Sequence, residues 1–431
     1  MRAASAPSAA AAPRKGEAAK EERVAKARKK RTRQDATSSA ANPEVPAAPH
    51  MSEGEEGAAA SKLPASRREL LQAALQRHLA SFPALAIALV DRDGLVHADA
   101  AGSVDGFPAS PSTTAFPTAS ISKTIVAALC LQCAERGELQ LDEDVNRYLP
   151  ERSYPADCSL RNPNFPDAAI TVRQLLTHRS SLIDDESALL PGRWRTEGED
   201  CTVCLAEYVF LRLYSKSPDF EPWLWSKEAP PGEAAYHYSN AGFSVLGLVL
   251  ETVTGRGPGG VDALAKERLF APLGMQRSSF LLAPLLQLPG VVVAAPHGKH
   301  HWGPCEYTAA SLRSTALDVG RWMAAVIAGL LGGPMPNGAL SQESLMQMLP
   351  PGKVCKTGLA WWGVDAAYGN RRGNTWEHGG FMDGVRSHMY VWPKSSVGAV
   401  ILMNGEGTYD ALAYEIRAAL AEHAGIALKE L

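Results

Sequence analysis

Apolar residues recur at Leu70, Leu71, Ala74, Leu75 and Leu79, a three-and-four spacing that predicts an amphipathic helix from about Ser66. Next, Ala84 to Val90 is an unbroken apolar run, Asp91-Arg92-Asp93-Gly94 is a turn, and Leu95-Val96-His97 resumes the pattern. Two such runs across an Asp/Gly turn read as a β-hairpin. A second hairpin signal lies near the C-terminus, where Ser387 to Trp392 and Val397 to Met403 flank Pro393-Lys394-Ser395-Ser396. Leu412, Ile416 and Leu420 mark one face of a closing helix. Between the hairpins, from about 120 to 330, the pattern is mostly helical and broken by Pro and Gly loops. Strand pairs at both ends of a helical middle predict an α+β fold: an antiparallel β-sheet flanked by helices, with an inserted all-helical subdomain alongside. A site between the two parts follows naturally.

Composition changes this picture mainly at the N-terminus. The chain has 431 residues, 45% hydrophobic and 21% charged, ordinary values for a globular protein. Residues 1–62 are rich in Ala, Ser, Pro, Lys and Glu and poor in aromatics, so they are expected to form a disordered basic tail. The folded domain is then 63–431. The tail holds 12 Lys/Arg against 8 Asp/Glu, and the body 31 against 38. Its run Lys26-Ala27-Arg28-Lys29-Lys30-Arg31-Thr32-Arg33 reads as a solvated patch, with nuclear import or an anionic surface as the alternative. An acidic body argues against nucleic acid as the main partner. No apolar run reaches the roughly 18 residues of a membrane span. Seven cysteines, an odd number spread over a long chain, suggest reduced thiols and a cytoplasmic or organellar rather than secreted setting.

Three segments carry chemistry. In Thr118-Ala119-Ser120-Ile121-Ser122-Lys123-Thr124, which opens an apolar helix, residues three apart share a face, so Lys123 reaches the Ser120 hydroxyl. A buried lysine there can lose its proton and accept the serine's, while the helix N-terminus favours developing negative charge. Alone, Ser-x-x-Lys also describes a helix-start serine beside a surface lysine. The second segment, Tyr236-His237-Tyr238-Ser239-Asn240, enters another helix and offers a phenol as proton shuttle and an amide to hold substrate or lysine. The third, Glu377-His378-Gly379-Gly380-Phe381, precedes the C-terminal strand pair; its glycines let a ligand approach backbone.

In this order, the segments resemble the Ser-x-x-Lys, Tyr-x-Asn and Lys/His-x-Gly elements of the serine β-lactamase and penicillin-binding-protein superfamily. The resemblance is to its class C type branch, with related esterases, D-aminopeptidases and D-alanyl-D-alanine carboxypeptidases. It covers about residues 67–422 and includes Ala134 to Pro150, Ile170 to Leu182 and Leu269 to Met275. It implies a serine hydrolase acting through an acyl-enzyme on a small ester or amide, with no cofactor or metal. Ser120 would be the nucleophile and Lys123 its proton partner. Tyr238 would be acid or base for the leaving group, and Asn240 would hold Lys123 or substrate. His378 would orient Tyr238 or stabilise charge. The backbone N–H groups of Ser120 and Phe381, past Gly380, would form the oxyanion hole. One departure stands out: relatives that grip a penicillin-type carboxylate usually carry Thr or Ser in the middle of the third element, where this chain has Gly379. That favours substrates without a carboxylate at that point. The alternative from another class is a non-catalytic scaffold of the same fold that self-associates or binds a partner.

Other signals weigh less. Lys356-Thr357-Gly358 is a rival third element, but it lacks the two strands that follow His378. Cys130/Cys133 and Cys201/Cys204 are Cys-x-x-Cys pairs, and the first lies on the apolar helix, where thiols pack as small hydrophobes. His297 to His301 reads as a polar loop, not a metal site, and Gly255 to Gly260 follows a helix and contains proline, unlike a dinucleotide loop. No Gly-x-Ser-x-Gly occurs. Trp194, Trp223 and Trp225 either line an acyl pocket or fill the helical core.

Overall fold

A computed structural model describes residues 61–149, 159–183, 193–233, 236–351, 357–364 and 375–431. Residues 1–60 of the expected tail and Lys356 of the rival third element therefore lie outside the described residues. Lys62, assigned to the tail by composition, is held on the body: its backbone N–H donates to Val96 and its Nζ to Asp91.

The frame is a seven-stranded sheet. In chain order its strands are β1 (Ala84–Asp91), β2 (Gly94–Val104) and β3 (Phe107–Pro108), then β9 (Trp362–Val364), β10 (Thr375–Met382), β11 (Val385–Trp392) and β12 (Val397–Asn404). Their spatial order is β3-β2-β1-β12-β11-β10-β9, and every pairing is antiparallel. Both expected hairpins are present, and β1 pairs with β12 so that Ile87 faces Ile401 in register. The chain's two ends thus close one sheet, and both central strands are buried throughout except at Asp91.

Apolar side chains leave this sheet on both faces. One face is covered by the first helix, α1 (Ala65–Arg77), and by the last, Asp410–Ala424; Leu71, Leu75, Leu412, Ile416 and Leu420 pack with Ile87, Leu89 and Ile401. Leu70, counted on the apolar face from its spacing, is exposed instead, because only Leu71, Ala74 and Leu75 of that helix turn inward.

The other face meets the inserted region, where α2 (Ser122–Glu135), α3 (Asn240–Val253) and α4 (Ala316–Leu330) form the larger core. Helices dominate this region, joined by short strands: β4 (Thr114–Pro117) lies between β6 (Val292–Val293) and β8 (Arg313–Ser314), and β5 (Arg195–Glu197) pairs with β7 (Trp302–Pro304). Such two- and three-residue strands are too short to produce an alternating pattern.

Trp225 is buried and Trp223 is exposed, so these two tryptophans divide between core and surface. Cys130 and Cys133 are buried in α2, where burial pushes both thiols up. The Cys201 sulfur sits 2.6 Å from that of Cys305.

Ile401 is fully buried and central to the sheet, so Ile401→Ala is expected to cost about 2–5 kcal/mol. The check is the shift in urea midpoint at constant slope.

Candidate active site

Ser120 sits on a single 3₁₀ turn, Ala119–Ile121, between β4 and α2. The turn is strained: Ala119 has φ +48°, the left-handed region that a non-glycine residue adopts only when its surroundings impose it. Those surroundings are explicit. Thr118 donates its N–H (2.8 Å) and its hydroxyl (2.9 Å) to the Leu312 carbonyl. The Ser122 hydroxyl donates to the Ala119 carbonyl (2.6 Å) and accepts from the Leu312 N–H (2.9 Å). From the sheet, the Ser387 hydroxyl on β11 donates to the Thr118 carbonyl at 2.7 Å.

Lys123, in the first turn of α2, is fully buried. Its ammonium donates to Ser120 Oγ (3.0 Å), Asn240 Oδ1 (2.7 Å) and the Ala309 carbonyl (2.9 Å). Asn240 can hold it because Ser239 caps α3, its side chain accepting from the Gly242 N–H, which makes Asn240 the first helical residue. Two residues earlier, the Tyr238 hydroxyl donates to Ser120 Oγ at 2.7 Å, and the Tyr238 ring lies 4.8 Å from the Lys123 nitrogen. Serine, lysine, tyrosine and asparagine therefore lie in one cluster.

His378 arrives from β10 and is fully buried. Its Nδ1–H donates to the Gly379 carbonyl at 2.8 Å, and among the described residues Nε2 has no hydrogen-bond partner. Burial, reinforced by the Lys123 charge, pushes its pKa down to about 3, so it is neutral near pH 7. Among the described residues it makes no hydrogen bond to Tyr238, which it was expected to orient unless it stabilises charge. Its ring stacks instead on Trp362 (5.0 Å, 17°), whose other close ring neighbour is Tyr238 at 5.9 Å.

His178 does part of the orienting. It lies just after the short helix Val172–Leu176, with φ +55°. Its Nδ1 accepts from the Ser239 N–H (3.0 Å) and its ring stacks on Tyr238 at 4.5 Å. Burial and the nearby Lys123 keep it neutral as well. Neither His178 nor Trp362 was singled out from sequence; the only signal for His178 was its place in Ile170 to Leu182.

The two glycines of the third element have separate reasons. A Cβ on Gly380 would stand 2.2 Å from Ser387 Oγ and 2.4 Å from the Thr118 carbonyl, so only glycine lets β10 lie against the Ser120 turn. A Cβ on Gly379 would stand 2.7 Å from the Phe381 ring, which occupies the space a threonine or serine would need. Phe381 itself is 55% exposed, beside the turn. No cluster of His, Cys, Asp or Glu suited to a metal occurs among the described residues.

The sheet, its flanking helices and the serine-centred cluster define the class: an α+β protein with the β-lactamase/transpeptidase-like fold. A family model described as Beta-lactamase matches residues 71–423, and the chain belongs to that family. It is 27% identical over 360 residues to penicillin-binding protein 4 of Amycolatopsis lactamdurans, covering 79% of this chain and 85% of that protein. To the esterase EstB of Burkholderia gladioli it is 32% identical over 206 residues, 46% of this chain and 47% of that one. A solved class C β-lactamase shares the fold with a TM-score of 0.61 at 19% identity, over 82% of this chain and 96% of that chain.

The depressed pKa of His378 has a definite sign. Between about pH 6.5 and 3 the unfolded chain binds a proton at this histidine and the native protein does not, so its contribution is fully present above 6.5 and lost on acidification. Stability is expected to fall from pH 7 to pH 5, and His378→Gln to remove about 2 kcal/mol of that fall. Urea titrations of both proteins at the two pH values measure it.

Proposed function

We propose that the protein is a serine hydrolase that cleaves a small ester or amide through an acyl-enzyme on Ser120. The observation that carries this reading is the Ser120 hydroxyl held between the Lys123 nitrogen at 3.0 Å and the Tyr238 hydroxyl at 2.7 Å. Both contacts are within the range for proton transfer. Family membership and the esterase named among its relatives support it.

In this reading the Lys123/Tyr238 pair reacts one proton short, as amine beside phenol or ammonium beside phenolate; Ser120 attacks the carbonyl carbon and its proton fills that place. Negative charge on the carbonyl oxygen is met by the backbone N–H groups of Ser120 and Phe381, with the positive end of α2 behind them. Tyr238 delivers the proton to the departing alcohol or amine. Water then enters by the reverse sequence and frees Ser120. Asn240 and the Ala309 carbonyl keep Lys123 aimed at the hydroxyl. Neutral His378 and Trp362 form an apolar wall that keeps the Tyr238 side dry. Gly380 lets the backbone of Phe381 approach the turn. No step needs a metal or cofactor.

A fluorophosphonate probe is expected to label the wild-type protein at Ser120 and to leave Ser120→Ala unlabelled; equal labelling of both removes Ser120 from the mechanism. Lys123→Ala is expected to lower kcat on a 4-nitrophenyl ester by about 10²–10⁴, with native circular dichroism. A wild type that is inert to probe and ester would instead favour the non-catalytic scaffold.

A further inference from the structure

Two sulfurs meet at the start of the segment that holds the Ser120 turn. This segment begins with Cys305, directly after β7, and runs to Leu312, directly before β8. It supplies the Ala309 carbonyl that accepts from Lys123 and the Leu312 groups that bind Thr118 and Ser122. Cys305 is 1% exposed, and its Sγ lies 2.6 Å from that of Cys201. Cys201 is half-buried, in the connection that follows β5.

Backbone contacts impose this meeting. β5 and β7 pair from Arg195 opposite Pro304 to Glu197 opposite Trp302, and the Cys305 N–H donates to the Trp194 carbonyl at 2.8 Å. The chain from Glu199 to Cys201 then lies against β7. A Cβ on Gly303 would stand 2.6 Å from the Cys201 nitrogen and 2.7 Å from the Glu199 carbonyl oxygen, so only glycine leaves room for it. The Asp200 carboxylate fastens the same stretch, accepting from the N–H groups of Leu282 (2.7 Å) and Ala283 (3.0 Å). Spacing alone suggests Cys204 as the partner of Cys201; the sulfur in contact is that of Cys305.

The two thiols are also unlike. The Cys305 S–H donates to Cys201 and outweighs the burial of Cys201; with the Val203 N–H and the Thr196 hydroxyl it pulls the Cys201 thiol down to about 7. Cys305, the donor of that bond and itself buried, is pushed up. A half-buried sulfur that is partly thiolate near neutral pH, touching a thiol that stays protonated, is the arrangement of an attacking and a resolving cysteine.

We infer that Cys201 and Cys305 form an oxidative modification site, at which a peroxide converts the pair to a disulfide that ties the 305–312 segment to the β5 side. In the first step the Cys201 thiolate attacks one oxygen of hydrogen peroxide; an S–O bond forms, the O–O bond breaks and hydroxide leaves. In the second the Cys305 sulfur attacks the Cys201 sulfenic acid; the S–S bond replaces the S–O bond, and the oxygen leaves as water with the Cys305 proton. Two electrons pass from the sulfurs to the peroxide, and the proton shed earlier by Cys201 converts the hydroxide to a second water. Only Cys201 has to meet the oxidant, because buried Cys305 already touches it. The bond joins positions 104 residues apart, so it restricts the unfolded chain strongly. None of this chemistry uses a group of the acyl-enzyme reading.

Peptide mapping of the wild-type protein tests it. The reduced native protein is treated with hydrogen peroxide, its remaining thiols are blocked, and it is digested without reduction. The expected product is a peptide pair joining Cys201 to Cys305 that disappears after dithiothreitol. Cys201 joined to Cys204 or to any other cysteine, both sulfurs left as free thiols, or Cys201 carrying oxygen while Cys305 stays free overturns the inference. Linkage is expected to raise the melting temperature by about 5 °C or more over the reduced protein, and peroxide to give no such rise in Cys201→Ser. A linked protein that melts no higher than the reduced one overturns the tie. In Cys305→Ser, dimedone is expected to trap the sulfenic acid at Cys201 several-fold more than in wild type; equal trapping removes Cys305 as the resolving thiol. The mapping needs no variant to fold.

Discussion

Everything at this site depends on the strained turn at Ala119. A left-handed non-glycine residue costs about 1–3 kcal/mol and persists only where neighbours over-determine it. Here the neighbours come from three elements. Leu312 holds Thr118 from one side, Ser122 closes the turn from inside α2, and Ser387 reaches across from the sheet. The serine hydroxyl is thereby aimed before any substrate arrives, which is the condition for electrostatic and positional catalysis. The same contacts explain why Gly380 has no room for a methyl group: sheet and turn are in backbone contact there.

Charge is arranged as tightly as shape. Lys123 is the cation at the centre, ringed by an amide oxygen, a backbone carbonyl and two hydroxyl-bearing side chains. Two histidines flank it, and both are held neutral by burial and by that lysine. They therefore shape the site as flat, uncharged surfaces, one stacked on Tyr238 and the other on Trp362. Two arginines are buried as well: Arg212 pairs with Glu221, whereas Arg313, paired with Pro117 across β4 and β8, has no carboxylate partner among the described residues.

Much of this could be read along the chain. Runs such as Ala84 to Val90 and Val397 to Met403 are long enough for their pattern to identify strands, and the helical spacing of Leu412, Ile416 and Leu420 holds in three dimensions. Ser120 and Lys123 share a helical face by local geometry alone, and Tyr238 and Asn240 come together through one helix cap. By contrast Leu70 fits the same apolar spacing and faces solvent, because which stripe of a helix is covered depends on what packs against it. His378 is a related case: its protonation and partners depend on burial, which periodicity does not report.

What the linear order of residues determined, then, was the set of elements and the pairs brought together within one or two helical turns, since these follow from backbone geometry and side-chain spacing. What only the folded chain decided was every relation between distant segments: Ser387 against Thr118, His178 against Tyr238, Trp362 against His378, and Arg313 beside the nucleophile's turn. Those are contacts between residues tens to hundreds of positions apart. They are made by sheet register and packing of the whole core, and no local pattern encodes them.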